Sequence, residues 1–298
     1  MSTGSSETAG RRLWKALESE TPLQVVGAVN AYCGLLAERA GFKALYLSGG
    51  GVAGASYGMP DLGMTHLHDV LEDVRRITGA SSLPLLVDAD TGWGHIHALG
   101  RTVREMIKAG AAGIHLEDQV EAKRCGHRPG KALVSIDEMC QRIRAAVDDR
   151  TDSQFVIMAR TDAVACEGLD RGLERAQAYV DAGADMVFPE ALSGLDDYAH
   201  FAGNLDVPVL ANLTEFGRTP LFNLDQLRSS GVRLALYPLS AFRAMSAAAL
   251  RVYDTIRQQG TQRSELDIMQ TREELYEVLD YHRFEQQIDR YLGAGRKS

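Results

Sequence analysis

Residues 84–117, PLLVDADTGWGHIHALGRTVREMIKAGAAGIHLE, decide the fold. Residues 84–90 are a short, β-rich apolar run that ends in Asp88 and Asp90. Leu99, Val103 and Ile107 then recur at helical spacing, and Ala109-Gly110 ends the helix. Glycine just past a helix takes the left-handed cap that turns the chain back to the sheet. Residues 113–117, Gly-Ile-His-Leu-Glu, form a second short run of the same kind. Two strands apolar on both faces, joined by a helix, are the unit of a parallel sheet covered by helices.

The unit repeats in both directions along the chain. Further β-rich runs occupy 24–29, 44–48, 155–161, 186–190, 208–214 and 233–239. Ala40-Gly41, Ala182-Gly183 and Ser230-Gly231 repeat the helix stop. Val70-Leu71, Val74 and Ile77 make one helical stripe, and Met139, Ile143 and Val147 another. Ser135 is the expected N-cap of that last helix, with Glu138 completing a capping box. Eight strands alternating with helices make a (β/α)8 TIM barrel the first choice and a doubly wound open sheet the second. The expected organisation is a flexible tail over 1–12, the barrel over 13–259 and a helical arm over 260–298. Tyr276, Leu279, Tyr281, Phe284, Ile288 and Leu292 give the arm an apolar stripe. It suits packing on its own barrel or on another subunit.

Composition narrows the function. The 298 residues are 45% hydrophobic and 24% charged, as in a soluble globular protein. With 32 Lys+Arg against 40 Asp+Glu the formal charge is −8, which argues against a nucleic-acid partner. No apolar run approaches the ~20 residues of a membrane span, so no membrane partner is expected. Cys33, Cys125, Cys140 and Cys166 have no paired spacing, and the first 12 residues lack the apolar core of a secretory signal. Reduced thiols and a cytoplasmic location follow as expectations. Cys33, Cys140 and Cys166 read as small core residues.

In a barrel, chemistry collects at the C-terminal ends of the strands. Those ends carry Ser48-Gly49-Gly50-Gly51, Asp88 and Asp90, Glu117-Asp118, Arg160 and Asp162, Glu190, then Asn212 and Thr214-Glu215. Any one of these could cap the next helix; a full ring of caps is hard to explain. In Asp88-Ala89-Asp90 the two carboxylates, at i and i+2 of a strand, point the same way and repel unless a cation lies between them. Hard oxygen ligands suit Mg²⁺ or Mn²⁺, with Glu117 and Asp61 able to hold the remaining waters. On spacing alone Asp-x-Asp serves equally as a loop cap; the position at a barrel mouth favours the metal. The glycine triplet lets backbone N–H groups approach an anion, or simply makes a tight turn. In Lys123-Arg124-Cys125-Gly126-His127-Arg128 four potential cations surround one thiol. Nearby positive charge favours the thiolate, so a functional cysteine belongs there; the alternative is a solvated basic loop.

The Lys-Arg-Cys-Gly-His-Arg run completes a set. With Ser48-Gly49-Gly50, Asp88-Ala89-Asp90, Glu117-Asp118-Gln119, Arg160-Thr161-Asp162, Phe188-Pro189-Glu190 and Asn212-Leu213-Thr214-Glu215, the chain resembles the isocitrate lyase and phosphoenolpyruvate mutase superfamily. Cys125-Gly126-His127 resembles its lyase branch. The resemblance implies a barrel whose eighth helix is exchanged between subunits of a homotetramer. It implies Mg²⁺-dependent cleavage of a small tricarboxylate, 2-methylisocitrate, to pyruvate and succinate. Carried over by motif, Asp88 and Asp90 hold the metal, and Asp61 and Glu117 hold its waters. Ser48, Gly49, Gly50 and Arg160 bind the pyruvate part. Glu190, Asn212, Leu213, Thr214, Arg243 and Arg272 bind the remaining carboxylates, with Gly126 contributing backbone. Cys125 is then the acid that quenches the carbanion, His127 helps to stabilise it, and Tyr46 is the candidate base. Phe188 is placed to shape a pocket for the extra methyl, where a larger Trp resembles a plug in isocitrate lyases; the alternative is a barrel core residue. Isocitrate or a dimethylmalate-like acid is the second substrate reading. A non-catalytic carboxylate-binding barrel is the reading from another class.

Overall fold

The computed structural model describes residues 7–124, 126, 128 and 130–295. The chain divides into two compact units, Met1–Phe242 and Arg243–Ser298.

Among the described residues the first unit holds eight strands: β1 Leu23–Gly27, β2 Ala44–Leu47, β3 Leu85–Asp88, β4 Gly113–Glu117, β5 Val156–Thr161, β6 Met186–Pro189, β7 Leu210–Asn212 and β8 Leu234–Tyr237. All pair in parallel in the order β6-β5-β4-β3-β2-β1-β8-β7. The two ends meet: Val187 bridges Val209 in parallel, and Val187 N donates to Pro208 O at 3.0 Å. The sheet is therefore a closed (β/α)8 barrel, and the open-sheet alternative is excluded.

Strand parity positions the site. Val25, Tyr46, Leu86, Met158, Phe188, Leu210 and Leu236 point inward and form one buried cluster. Leu45, Leu47, Leu85, Val87, Ile114 and Ile157 point outward and pack on the helices that carry Val70, Val74, Ile77, Val103 and Ile143. Two residues further along each strand, the inward face continues as Ser48, Asp88, Arg160, Glu190 and Asn212. The apolar interior thus leads directly into a polar mouth.

Local details follow and sometimes correct the sequence pattern. Gly41, Gly110, Gly183 and Gly231 have φ of 91°, 88°, 106° and 78°, so the repeated helix stops are left-handed glycine caps. Residues 9–12 are helical rather than a tail. Helix Ala9–Ser19 starts at Thr8, whose side chain accepts from Arg11 N, and buries Leu13 and Leu17 in the inner cluster. Ser135 Oγ accepts from Glu138 N at 3.1 Å, but the Glu138 carboxylate accepts from Arg142 Nη2 at 2.7 Å instead of completing the box. Cys33 and Cys140 are buried as expected, whereas Cys166 is exposed.

The second unit is helical among its described residues. Most of Ser240–Gln259 belongs to it, followed by Arg263–Ile268, Arg272–Val278 and Tyr281–Gly295. Glu265, which accepts from Thr255 Oγ1 at 3.0 Å and pairs with Arg251, ties two of these segments together. Phe284, Ile288, Tyr291 and Leu292 are each more than half exposed. No helix among the described residues is long and apolar enough to cross a membrane.

Candidate active site

Asp88 ends β3, and Asp90 follows it in a left-handed turn with φ 48°. That turn, rather than strand alternation alone, brings the carboxylates together. Asp90 N donates to Asp88 Oδ1 and Gly49 N to Asp88 Oδ2, each at 3.0 Å. A Cβ on residue 49 would stand 3.1 Å from both Asp88 Oδ2 and Asp90 Oδ1, and one on residue 50 would stand 3.2 Å from Asp61 Oδ2. Glycine at 49 and 50 leaves room for three carboxylates to lie close to the backbone. The Gly49 N–H serves Asp88, so it supports the acidic pair as well as facing the mouth.

These carboxylates suit a hard cation. Burial and the charge of Asp88 push Asp90 up to about 6. Burial acts the same way on Asp88, but His115, Lys123, Arg160 and the Asp90 N–H outweigh it and hold Asp88 below the usual carboxylate range. Both oxygens of fully buried Glu117 lack a hydrogen-bond partner among the described residues; Oε2 stands 3.4 Å from Arg160 Nη1. Burial drives Glu117 well above its ordinary value. Lys123 is 5% exposed and its ammonium bridges Asp90 and Asp61, at 3.0 Å from the latter. Among the described residues no three Asp, Glu, His or Cys side chains converge as direct ligands. The donor set fits an ion held by Asp88 and Asp90 with water completing its shell, as Mg²⁺ prefers, with Glu117 and Asp61 one step out.

Arg160 organises the other half of the mouth. Nε donates to Asp162 Oδ2 at 3.0 Å, Nη1 faces Glu117 and Nη2 lies 3.3 Å from Glu190 Oε2. Its Cζ stacks 5.1 Å over the Phe188 ring. Asp162 is fully buried; burial would raise its pKa, but Arg160 and Lys131 outweigh that and lower it. Glu190 also accepts from Asn212 Nδ2 at 3.3 Å and from Ala191 N at 2.7 Å. Gly126 packs on this group so closely that a Cβ would sit 2.4 Å from Arg160 Nη2 and 2.6 Å from Glu190 Cγ.

Tyr46 OH lies 2.9 Å from His115 Nε2, and His115 meets the Phe188 ring edge-on at 5.4 Å. Burial pushes the Tyr46 phenol well above 10, with Asp88 adding to it, and lowers His115 to about 4. Both are neutral at neutral pH, so Tyr46 keeps its proton beside a poor acceptor. This environment keeps Tyr46 a neutral hydrogen-bonding partner of His115.

The remaining expected residues separate. Ser48 and Thr214 stand at the mouth ends of β2 and β7. Leu213 turns its side chain into an outer cluster, and its N–H donates to Leu236 O at 2.8 Å. Arg243 lies near the start of helix Ser240–Gln259 and Arg272 opens helix Arg272–Val278; both belong to the second unit and are exposed. Cys125 and His127 lie outside the described residues. Sequence reasoning missed His115, Lys123 and Lys131 as members of the site. His115 was legible by parity, two residues before Glu117 on the same strand face. Lys123 was singled out only as one of the cations around Cys125, and its pairing with Asp61 and Asp90 was not legible there.

Comparison with known proteins agrees with this geometry. Residues 14–257 match the family model described as phosphoenolpyruvate phosphomutase. The chain is 62% identical over 286 residues to the 2-methylisocitrate lyase of Escherichia coli (strain K12), covering 96% of this chain and 97% of that one. Among solved structures it is similar to 2,3-dimethylmalate lyase, a phosphoenolpyruvate mutase/isocitrate lyase superfamily member, with TM-score 0.87, 33% identity and coverage of 97% and 96%. It is also similar to phosphonopyruvate hydrolase complexed with oxalate and Mg²⁺, with TM-score 0.85, 30% identity and coverage of 96% and 100%. Barrel, mouth residues and matches together make this chain a member of the phosphoenolpyruvate phosphomutase family, within the phosphoenolpyruvate mutase/isocitrate lyase superfamily.

Proposed function

We propose that this chain is a Mg²⁺-dependent carbon–carbon lyase that cleaves 2-methylisocitrate to pyruvate and succinate. One observation carries the reading: buried Asp88 and Asp90 converge beside the Arg160–Glu190 pair, so a cation site and an anion site share one mouth. The high identity to a 2-methylisocitrate lyase supports this substrate, and the Mg²⁺–oxalate complex of a structural relative supports this metal. A divalent ion held by Asp88 and Asp90 would polarise substrate oxygen and offset the charge that grows as the hydroxyl proton passes to bulk water.

The chain's own groups supply the rest. Arg160 and the backbone around Gly49 and Gly50 orient the pyruvate end. Glu190, Asn212 and Thr214 orient the far carboxylates, with Gly126 lending backbone, and the motif match with the family assigns the same role to Arg243 and Arg272. Tyr46 holds its proton and donates it as a hydrogen bond. Cleavage leaves a carbanion next to a carboxylate, which His127 and neighbouring N–H groups stabilise and the Cys125 thiol protonates. Release of the 2-oxo acid, pyruvate from 2-methylisocitrate and 2,3-dimethylmalate and glyoxylate from isocitrate, each with Mg²⁺ and with a chelator, tests the reading. The first acid should give the highest kcat/KM and the chelator should abolish release. Chelator-resistant cleavage would remove the metal from the account, and a faster second acid would reassign the substrate.

Phe188 sets the substrate's extra methyl. Its ring is 1% exposed and stacks beneath Arg160, so a larger ring intrudes on the pyruvate pocket. A methyl in an apolar pocket is worth about 10–200-fold in specificity. Phe188→Trp should lower kcat/KM on 2-methylisocitrate more than on isocitrate by a factor in that range. Equal losses on both acids with a lowered Tm would make Phe188 a core residue only.

The segment 260–298, the C-terminal part of the second unit, completes the assembly in this account as an arm exchanged between subunits of a homotetramer. Exposed apolar side chains on one segment mark a surface that a partner covers, and exchange of an element is a low-cost route to dimers. Truncation after Gly260 should yield monomeric or insoluble protein without activity, because Arg272 goes with the arm. Sedimentation showing an active tetramer after truncation would contradict it.

A further inference from the structure

Lys131 belongs to no motif that pointed to the mouth, yet its side chain is 1% exposed and its ammonium makes two bonds at 2.7 Å. One reaches Asp162 Oδ1 and the other Gly126 O. Asp162 is the carboxylate that clasps Arg160 through Nε and Nη2, at 3.0 and 3.3 Å. Gly126 is the backbone packed against Arg160 Nη2 and Glu190. A single buried cation therefore touches two of the groups packed around the Arg160 guanidinium, Asp162 and the Gly126 backbone.

The local chain explains how a lysine comes to be there. After β4 the chain leaves the barrel and returns beside itself: Gln119 pairs antiparallel with Leu133, Val120 N donates to Ala132 O at 2.9 Å, and Val134 N donates to Asp118 O at 2.9 Å. Asp118 in turn accepts from Asp162 N at 2.9 Å and from Thr161 Oγ1 at 2.8 Å. Lys131 leaves this pinned stem and spans the gap between Asp162 and Gly126. A buried carboxylate persists only if its charge is matched and its oxygens are satisfied. Arg160 alone would leave Asp162 Oδ1 with one long bond, and Lys131 supplies the short one.

We propose that Lys131 is a positioning residue: it fixes Arg160 through Asp162 and holds the Gly126 backbone against the same guanidinium. The inference rests on the lyase reading only in assigning Arg160 to the substrate. Lys131 touches neither substrate nor metal in this account, so its loss acts through the geometry of Arg160. Displacement of a binding group by about 1 Å costs on the order of 10²-fold in rate.

The test compares Lys131→Met, Lys131→Arg and Lys131→Met/Asp162→Asn in the full chain. Pyruvate release from 2-methylisocitrate, thermal melting and the rate of tryptic cleavage after Arg124 are measured for each. Arg124 is bracketed by Gln119, which accepts from its N–H at 3.0 Å and donates to its carbonyl at 2.8 Å, so cutting there reports loosening of the Gly126 segment. Lys131→Met should lose about 10²-fold in kcat/KM and be cut at least about tenfold faster at a temperature well below its melt. Lys131→Arg should recover at least about tenfold of the activity, since its forked donors reach both acceptors. If Lys131→Met fails to fold, the double variant, which also removes the unmatched carboxylate, decides by its cleavage at Arg124, where the bond from Lys131 to Gly126 is read apart from Asp162. Activity within about threefold of wild type, with unchanged cleavage, would overturn the proposal. So would losses that follow Tm alone across the variants with no change at Arg124. A wild-type protein that releases no pyruvate overturns the lyase reading instead, while the tryptic comparison still decides whether Lys131 holds Gly126.

Discussion

Arg160→Lys should lose about 10²–10³-fold in kcat/KM, the scale for removing an oriented donor from developing negative charge. The guanidinium is matched at once to Asp162, Glu117 and Glu190, and its flat face lies on Phe188. Lysine brings one compact ammonium that cannot span three carboxylates or stack in the same way. Arg160→Met goes further, because it leaves buried carboxylates without their partner. Breaking one side of a buried pair costs roughly 3–5 kcal/mol, so this variant should also unfold at lower denaturant. Steady-state rates with urea unfolding on both variants separate the two effects. An Arg160→Lys enzyme within tenfold of wild type would mean that charge alone suffices there.

Cys125→Ser carries the other large effect. Cys125 lies outside the described residues, but it directly precedes Gly126, whose backbone packs on Arg160 and Glu190. It also follows Lys123 and Arg124 in the chain. General acid catalysis is worth about 10²–10⁴-fold, and a serine hydroxyl is a far weaker acid than a thiol. The variant should lose activity on that scale while keeping its Tm and its affinity for Mg²⁺. Turnover near wild type would remove Cys125 from the reaction.

Much of this was legible because a barrel obeys two periods. The alternation of short apolar runs with glycine-stopped helices gave the eight strands, and 113–117 agrees with β4 at both ends. The runs were read too long where the mouth begins: 84–90 against Leu85–Asp88, 208–214 against Leu210–Asn212, 233–239 against Leu234–Tyr237. At those points the side chains still look strand-like, while the backbone has already turned to present them, as Asp90 shows with its positive φ. Carboxylates and Arg160 could be found from their position at strand ends. Lys123 and Lys131 could not, since a lysine in a polar loop carries no mark of burial until its partners across the mouth are known. Tyr46 was found, but its protonation was not, because a phenol's proton depends on how deeply the barrel encloses it.

The central claim is a single bond cleavage. Proton NMR of purified protein with Mg²⁺ and 2-methylisocitrate, followed over time, reads both products together. The account predicts pyruvate and succinate appearing one to one as substrate disappears, and no change when Asp88→Asn replaces the wild type. Substrate that stays intact with the wild type, under conditions where it binds, would contradict the account and leave a barrel that holds carboxylates without cutting them.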